Sequence, residues 1–419
     1  MQNLPSPALT PSSQTASATV RFLQTVLLAM LMGGASIVAL GSSSHPLDPL
    51  WFKVRYGLVG ISFVVLSATA LMRPNLSTQR RPPLLLWIWL CFGGLALLSG
   101  LINENIKALS DGIWFLLGVP ILFFYVLPRA LAQPMESTMA WGLILGHLPF
   151  GIISLVQSPP TTFPYTGIFS NSNQLGVTML TINGGLLILI NQTLISPDFL
   201  SKRLQMGGYI ALLLASLTLI VFSNSRTSLI SSLLGITLAF YPAIQTLKYP
   251  RNLVRLLLVG MGLCGAMILY GGQGLLRLGE SVELGYTNKL SGAGDLSNGR
   301  SFIWGKTWND ARMFGYGSND YFQQNFDLGG HNSLIDILGQ TGYIAFYVMI
   351  IIALMSLYYA YCYWREQIHV NPYAMMPLLI SLMFWTVSMA ESMFGSLGRG
   401  LTLAYLLSLG ILMYRPLRD

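Results

Sequence analysis

Twelve apolar runs divide the sequence, and most are long enough to cross a lipid bilayer. A spanning helix needs about 20 mostly apolar residues, and only the fourth run is clearly short. The pattern predicts an all-α, polytopic membrane protein of about 12 transmembrane helices. The runs lie near residues 22–40, 51–72, 83–102, 112–127, 138–157, 174–195, 206–222, 227–246, 252–270, 341–363, 373–390 and 398–415.

The polar stretches between the runs predict a simple domain organisation. Residues 1–20 are rich in Ser, Thr, Pro and Ala, which is typical of a disordered cytoplasmic tail rather than a cleaved signal peptide. Residues 21–419 form one transmembrane helical domain with no soluble domain and no short-period repeat. Residues 271–332 form its one long outer loop, which we expect to carry short helices.

The basic residues predict the orientation of the helices. With the amino terminus inside, inner segments hold 13 of the 23 basic residues, short outer segments hold five, and the long loop holds the other five. Cytoplasmic loops carry the excess of Lys and Arg, and long loops obey this rule less strictly. Both termini are therefore predicted to be cytoplasmic. The five basic residues in the short outer segments are Lys53, Arg55, Lys107, Arg226 and Arg399.

Composition excludes several classes of protein. Charged residues make up 9% of the chain, against roughly 25% in soluble domains, so the lipid bilayer is the expected solvent. The net charge of +8 comes from residues scattered beside apolar runs, which indicates topology signals and not nucleic-acid binding. Three cysteines in or beside apolar runs have no metal-ligand spacing, and we expect neither a metal nor a cofactor.

Four polar segments fall on the predicted outer face. They are "GIFSNSNQLG" at 167–176, "SNSRTS" at 223–228, "NGRSFIWGKTWNDARMFGYGSND" at 298–320 and "GGHNSLIDILGQTG" at 329–342. Together they place asparagines, arginines and one histidine on the same side of the membrane. This arrangement predicts a polar site on that face.

Arg226 lies at the start of an apolar run that needs it to complete a span. Burying a guanidinium at membrane depth costs at least about 2.5 kcal/mol unless it is paired or wet. Snorkelling or pairing with Glu391 would satisfy it structurally. The functional alternative is that Arg226 and the amide groups of a helix start hold a phosphate.

His331 stands just before "SLID", in which Ser333 and Asp336 match a capping-box-like pair. A helix start explains the serine and the aspartate but not the histidine. A neutral imidazole can accept a proton from a sugar hydroxyl. A structural histidine and a catalytic base both fit the local pattern.

Other polar residues are weaker candidates. Arg300 and Arg312 flank two tryptophans, which suits a solvated surface, a membrane interface or carbohydrate stacking. Gly315 and Gly317 indicate a tight turn. Glu391 and Arg399 bracket the last outer loop, either as a structural ion pair or as part of the site. The remaining candidates for substrate binding are Asn171, Asn173 and Asn332.

The order of these motifs resembles the O-antigen ligase and polymerase family of bacterial membrane glycosyltransferases. The resemblance covers residues 150–400 and is strongest at 222–232 and 299–346. It implies metal-independent transfer of a glycan from undecaprenyl diphosphate to a sugar hydroxyl at the periplasmic face of the inner membrane. It implies that Arg226 and Arg300 bind the diphosphate and that His331 orients or deprotonates the acceptor hydroxyl. We predict direct displacement with inversion and with His331 as the catalytic base. "DARMFGYG" lacks the proline that the family often has before its paired glycines.

The resemblance leaves the acceptor open. A ligase would use a lipid A–core sugar, whereas a polymerase would extend the repeat units with the same chemistry. A ligase for a protein or another small acceptor is a further alternative. A polytopic transporter would instead show interrupted helices and ionisable residues near mid-membrane, and an assembly protein would not need Arg226 at a helix start.

Overall fold

The computed structural model describes residues 18–37, 40, 49–72, 83–131, 134–161, 163–195, 202–246, 300–317, 320–326, 329–368, 370–394 and 399–414. Within these ranges the chain is all-helical and has no strand, and its one isolated β-bridge joins Leu40 to Phe169. The predicted tail before residue 18 and nearly half of the predicted loop, residues 271–299, lie outside the described residues.

The helices follow the predicted runs closely. In chain order they are α1 Ala18–Ser36, α2 Pro49–Met72, α3 Leu84–Ile102, α4 Ile106–Ala130, α5 Met135–Gln157, α6 Ser172–Ile195, α7 Arg203–Phe222, α8 Arg226–Thr246, α9 Arg300–Asn309, α10 Asp320–Phe326, α11 Ser333–Thr341, α12 Tyr343–Gln367, α13 Met376–Ser388 and α14 Gly400–Tyr414. Of these, α9 and α10 are short helices within the predicted loop.

Eight of the described helices are long and apolar enough to cross a membrane, namely α1 to α7 and α12. The chain is therefore a multi-pass membrane protein. Three further runs coincide with α8 and with the shorter apolar helices α13 and α14, and the run at 252–270 lies outside the described residues. The helical class is confirmed, whereas the number twelve stays a prediction.

The fourth span is longer than its apolar run predicted. α4 begins at Ile106, six residues before the run, because the Asn105 side chain accepts the backbone N–H groups of Lys107 and Ala108. This N-cap satisfies the first donors of the helix in a polar stretch that hydropathy does not recognise as helical. The helix then passes through π-helical turns at Trp114–Gly118 and Pro120–Val126.

The central helix is α6, whose residues are almost all buried from Leu175 to Leu194. It packs against α5, α7, α8 and α13. Its polar residues find partners on these neighbours: Asn183 Nδ2 donates to Ser232 Oγ at 3.0 Å, and Asn191 Nδ2 donates to the Ala239 carbonyl at 2.6 Å. Interhelical hydrogen bonds thus join α6 to α8 where lipid gives no hydrophobic driving force between helices.

α13 is short for a span. Its 13 residues make a helix about 20 Å long, while the hydrocarbon core is about 30 Å thick. The irregular residues 390–394 that follow it are buried or half-buried, so their backbone groups need hydrogen-bond partners within the protein. Those partners come from the candidate site described below.

A buried carboxylate joins α5 and α12 at the end of the bundle away from residues 389–394. Glu136 is fully buried, and its Oε1 accepts hydrogen bonds from Tyr363 Oη at 2.5 Å and from Asn371 Nδ2 at 2.7 Å. Its other carboxylate oxygen has no hydrogen-bond partner among the residues that the structure describes. The two donors therefore carry most of the stabilisation of this buried group.

Tyr363→Phe removes one of these donors without changing the packing of the ring. We expect it to destabilise the fold by about 1–3 kcal/mol, the usual cost of an unmet buried polar group. The measurement is the unfolding temperature of the purified protein in detergent. Tyr347→Phe is the matched control, because Tyr347 lies on the same helix with its side chain exposed. Equal unfolding temperatures for the two variants would contradict the expectation.

Candidate active site

The four polar segments meet at one end of the helical bundle. The Tyr165 N–H donates to the Phe222 carbonyl at 2.9 Å, which joins the segment before α6 to the segment after α7. Asn173 Nδ2 donates to Glu391 Oε1 at 2.7 Å, which joins the start of α6 to the residues after α13. Arg300 of the third segment and Asn332 of the fourth bind the same short segment after α13. These contacts together bring the predicted segments to one place.

The start of α11 is fastened to the residues after α13 by three hydrogen bonds, here called the α11 clasp. Asn332 Nδ2 donates to the Met389 carbonyl at 2.9 Å. Ser333 Oγ donates to the Glu391 carbonyl at 3.1 Å and accepts the Met393 N–H at 2.9 Å. Both side chains are buried, so the clasp holds residues 331–333 in a fixed place.

The helix cap is not the predicted one. Asn332, rather than Ser333, is the N-cap of α11, and its Oδ1 accepts the N–H groups of Leu334 and Ile335 at 2.9 and 3.3 Å. Asp336 Oδ1 instead accepts the Gly330 N–H at 3.0 Å. The capping-box prediction was wrong because Ser333 Oγ is taken up by the segment after α13, a partner that local sequence does not show.

His331 has an unusual backbone conformation. Its φ is +49°, a left-handed conformation that costs a non-glycine residue roughly 1–2 kcal/mol. The two residues after it are held by the α11 clasp, and Gly330 before it is held by Asp336 and by Trp304, whose Nε1 donates to the Gly330 carbonyl at 2.8 Å. Strain of this kind is concentrated at functional sites.

The imidazole of His331 is half-buried and surrounded by charges. In the described part of the chain it makes no hydrogen bond. Burial lowers its pKa most, the positive charges of Arg300 and Arg399 lower it further, and the Glu391 carboxylate acts in the opposite direction. The net effect is a lowered pKa, so the ring is neutral over a wider pH range than a free histidine.

Glu391 forms an ion pair with Arg300, and not with Arg226 or Arg399 within the described residues. Arg300 NH2 lies 3.4 Å from Glu391 Oε1, and Arg300 NH1 donates to the Ala390 carbonyl at 2.6 Å. The carbonyl bond fixes the guanidinium more closely than the long ion pair does. Arg300 is therefore held in place while part of its charge is available to another anion.

Arg399 is half-buried near the same charges. Its guanidinium contacts Met393 Sδ at 3.9 Å, and its charge acts on Glu391 and on His331. The structure thus brings Arg300, His331, Glu391 and Arg399 into one cluster. We call these four residues the charged cluster.

Arg226 is the first residue of α8 and lies across the first turn of α6 from the charged cluster. Gly176 on that turn packs so closely that a Cβ would lie 2.3 Å from Ser225 Cβ. In the described part of the chain, the Arg226 guanidinium has no hydrogen-bond or ion-pair partner, and the N–H groups of residues 226–228 have no acceptor. The start of α8 is thus a concentration of free donors.

The remaining predicted residues lie elsewhere or have local partners. Asn171 is exposed, and its Oδ1 accepts the Gln174 N–H at 3.0 Å as a cap of α6. Arg312 is exposed, with its guanidinium 4.3 Å from the Tyr316 ring centroid. Gly315 and Gly317 adopt φ of +62° and +82°, which confirms the tight turn. No described contact joins Asn171 or Arg312 to the charged cluster.

Asp336 is a buried carboxylate that the sequence predicted only as part of a helix cap. The pKa of Asp336 is raised to about 6, chiefly by burial. Hydrogen bonds from Ser392 and Gly330 act to lower this pKa, and the nearby Glu391 carboxylate acts to raise it. A cavity of about 40 Å³ lies beside it, also lined by Ser99, Asp111 and Gln340, and can hold water. No local signal could have shown these contacts, because Ser392 is 56 positions away.

Within the described ranges, no three His, Cys, Asp or Glu side chains lie close enough together to hold a metal ion. The charged cluster offers one imidazole, one carboxylate and two guanidiniums. Metal independence stays a prediction.

Comparison with known proteins supports the resemblance drawn from the motifs. The sequence model of a family described as O-antigen ligase matches residues 211–350. The match runs from α7 into α12 and includes Arg226, Arg300 and His331, whereas Glu391 and Arg399 lie outside it. No curated protein matches the chain. The predicted family is thus confirmed over the matched segment.

Proposed function

We propose that this chain, whose residues 211–350 match the O-antigen ligase family, moves a glycan from undecaprenyl diphosphate to a sugar hydroxyl at the periplasmic face of the inner membrane. The observation that carries the proposal is the strained His331, which makes no hydrogen bond to the described residues and lies beside two arginines and a carboxylate. The acceptor is a lipid A–core sugar in a ligase, and a growing repeat unit in a polymerase.

The diphosphate is proposed to bind between Arg226 and Arg300. Free N–H groups at a helix start and an unpaired guanidinium are the donors that suit a phosphate. Judged by the described part of the chain, α8 begins with both. Arg300 adds a second guanidinium, fixed by the Ala390 carbonyl at 2.6 Å. The donor arrives with its own leaving group, so the protein has to stabilise the charge that develops on the departing phosphate.

His331 is proposed to act as the general base. Its neutral imidazole accepts the proton of the acceptor hydroxyl while the oxygen attacks the anomeric carbon. The bond from that carbon to the diphosphate breaks, the configuration inverts, and the lipid diphosphate leaves with the electron pair. Glu391 then stabilises the imidazolium, since its charge favours the protonated ring.

Loss of the base should abolish most of the transfer. We expect His331→Ala to lower the rate by about 10²–10⁴-fold, measured with purified protein, lipid-diphosphate glycan and acceptor. Arg226→Ala and Arg300→Ala should also lower it. Arg365→Ala is the matched control, because Arg365 is exposed near the far end of α12. Wild-type transfer by a well-folded His331→Ala protein would rule out the general-base mechanism.

The pH dependence of transfer should report on His331. Activity requires the neutral ring, so it is lost as pH falls through the pKa of His331. Because that pKa is lowered, the acid limb should lie below the ordinary histidine value of about 6.5. Glu391 raises this pKa, so Glu391→Gln should move the acid limb to lower pH. An unchanged limb in Glu391→Gln would show that the carboxylate does not act on the base.

The two acceptors can be separated in a deletion strain by the chain lengths of the surface polysaccharide. A lost ligase leaves unattached polymer, whereas a lost polymerase leaves single repeat units attached to the anchor. A strain with unchanged glycan would contradict both forms of the proposal. Complementation with the His331→Ala gene controls for effects of the missing membrane protein itself.

A further inference from the structure

The start of α14 rests on a buried histidine of α5 that the proposed mechanism does not use. His147 Nε2 lies 2.9 Å from Ser36 Oγ, and His147 Nδ1 lies 2.8 Å from the Leu143 carbonyl. The Gly400 N–H donates to Ser36 Oγ at 3.0 Å. All three interactions are buried, and together they join α1, α5 and α14.

The direction of these hydrogen bonds follows from their chemistry. The Leu143 carbonyl can only accept, so Nδ1 of His147 carries the hydrogen. In the neutral ring Nε2 is then an acceptor, and it takes the hydroxyl hydrogen of Ser36. The Ser36 oxygen is left free to accept the Gly400 N–H. Each of the three donors, His147 Nδ1, Ser36 Oγ and the Gly400 N–H, has one acceptor. The direction of all three hydrogen bonds is therefore fixed.

Gly400 is needed at this contact for two reasons. Its N–H belongs to the first turn of α14, where it has no intrahelical acceptor, and Ser36 supplies one. A Cβ at this position would lie 2.2 Å from His147 Nε2 and 3.0 Å from the Met32 carbonyl. The absence of a side chain therefore lets the backbone of α14 begin directly on the imidazole.

The residue before this contact belongs to the charged cluster. The Arg399 carbonyl accepts the Leu403 N–H at 3.0 Å, so Arg399 is bound into the start of α14. Thr402 Oγ1 donates to the Met393 carbonyl at 2.8 Å, which ties the same helical turn to the residues after α13. The position of the guanidinium is thus determined by where α14 begins.

We infer that Ser36 and His147 are positioning residues, which act through Gly400 to hold the Arg399 guanidinium beside His331 and Glu391. The inference rests on the proposed function for the role of His331. Arg399 in this position keeps the imidazole neutral before transfer and adds a third positive charge near the leaving diphosphate. Neither positioning residue lies in the segment matched by the family.

The test measures the placement of Arg399 without any substrate. Neutral imidazoles react with diethylpyrocarbonate, so the modification rate of His331 against pH, read by peptide mass spectrometry, gives its pKa in the full-length protein in detergent. Among the described residues, three charged groups act on this ring: Arg300 from α9, Glu391 after α13 and Arg399 before α14. Asp336 from α11 accepts the N–H of the neighbouring Gly330. Only Arg399 depends directly on the contact with His147.

Arg399→Ala should raise the pKa of His331, because a positive charge that lowers it is removed. His147→Leu keeps the bulk of the side chain but loses the acceptor for Ser36, and it should raise the pKa in the same direction. His147→Gln retains an acceptor and should stay close to wild type. In the Arg399→Ala background, His147→Leu should add no further shift. Transfer by His147→Leu should fall by about 10–100-fold.

Three results would overturn the inference. The pKa of His331 could be the same in His147→Leu as in wild type, it could rise equally with and without Arg399, or it could fail to respond to Arg399→Ala. Ser36→Ala, which removes the hydroxyl without opening a large cavity, provides the same readout if His147→Leu does not fold. If the pKa shifts of His331 follow these expectations but the wild-type protein shows no glycan transfer, the result counts against the proposed function and not against the positioning.

Discussion

The backbone after α13 imposes the requirement on which the site depends. α13 ends at Ser388 after 13 residues. The backbone that follows is irregular, so the carbonyls of Met389, Ala390 and Glu391 have no regular helical partners. At the depth of a membrane such groups must find partners within the protein. Asn332, Arg300 and Ser333 supply them, and by doing so they bring the start of α9 and the start of α11 to the same place.

His331 acquires its surroundings as a consequence of this requirement. The clasp that satisfies the backbone also sets the residue before Asn332 in a left-handed conformation. Its ring lies among charges and makes no hydrogen bond within the described ranges. The cost of that conformation is small compared with the hydrogen bonds that enforce it. A fixed imidazole beside fixed guanidiniums is a preorganised environment, in which little rearrangement is needed when charge develops.

Much of this architecture follows from one-dimensional patterns. Long apolar runs predict spans because the bilayer sets their length. Because successive spans cross the membrane in opposite directions, the four polar segments are predicted to lie on the same face. Hydropathy misses the start of α4 because a single cap at Asn105 decides it. It also misses the pairing of Glu391 with Arg300 and the burial of Asp336, since both depend on tertiary contacts. His147 lies within an apolar run, where a histidine shows no sign of its partners 111 and 253 positions away.

The Gly400–Ser36 hydrogen bond joins the first and last described helices, and this has a consequence for biogenesis. Helices enter a membrane in the order of synthesis, so Ser36 and His147 are in place long before α14 exists. Glu391 and Arg399 are translated well after both of these residues. The charged cluster is therefore complete only once α14 has docked on α1 and α5. Until then the nascent protein holds an unfinished site.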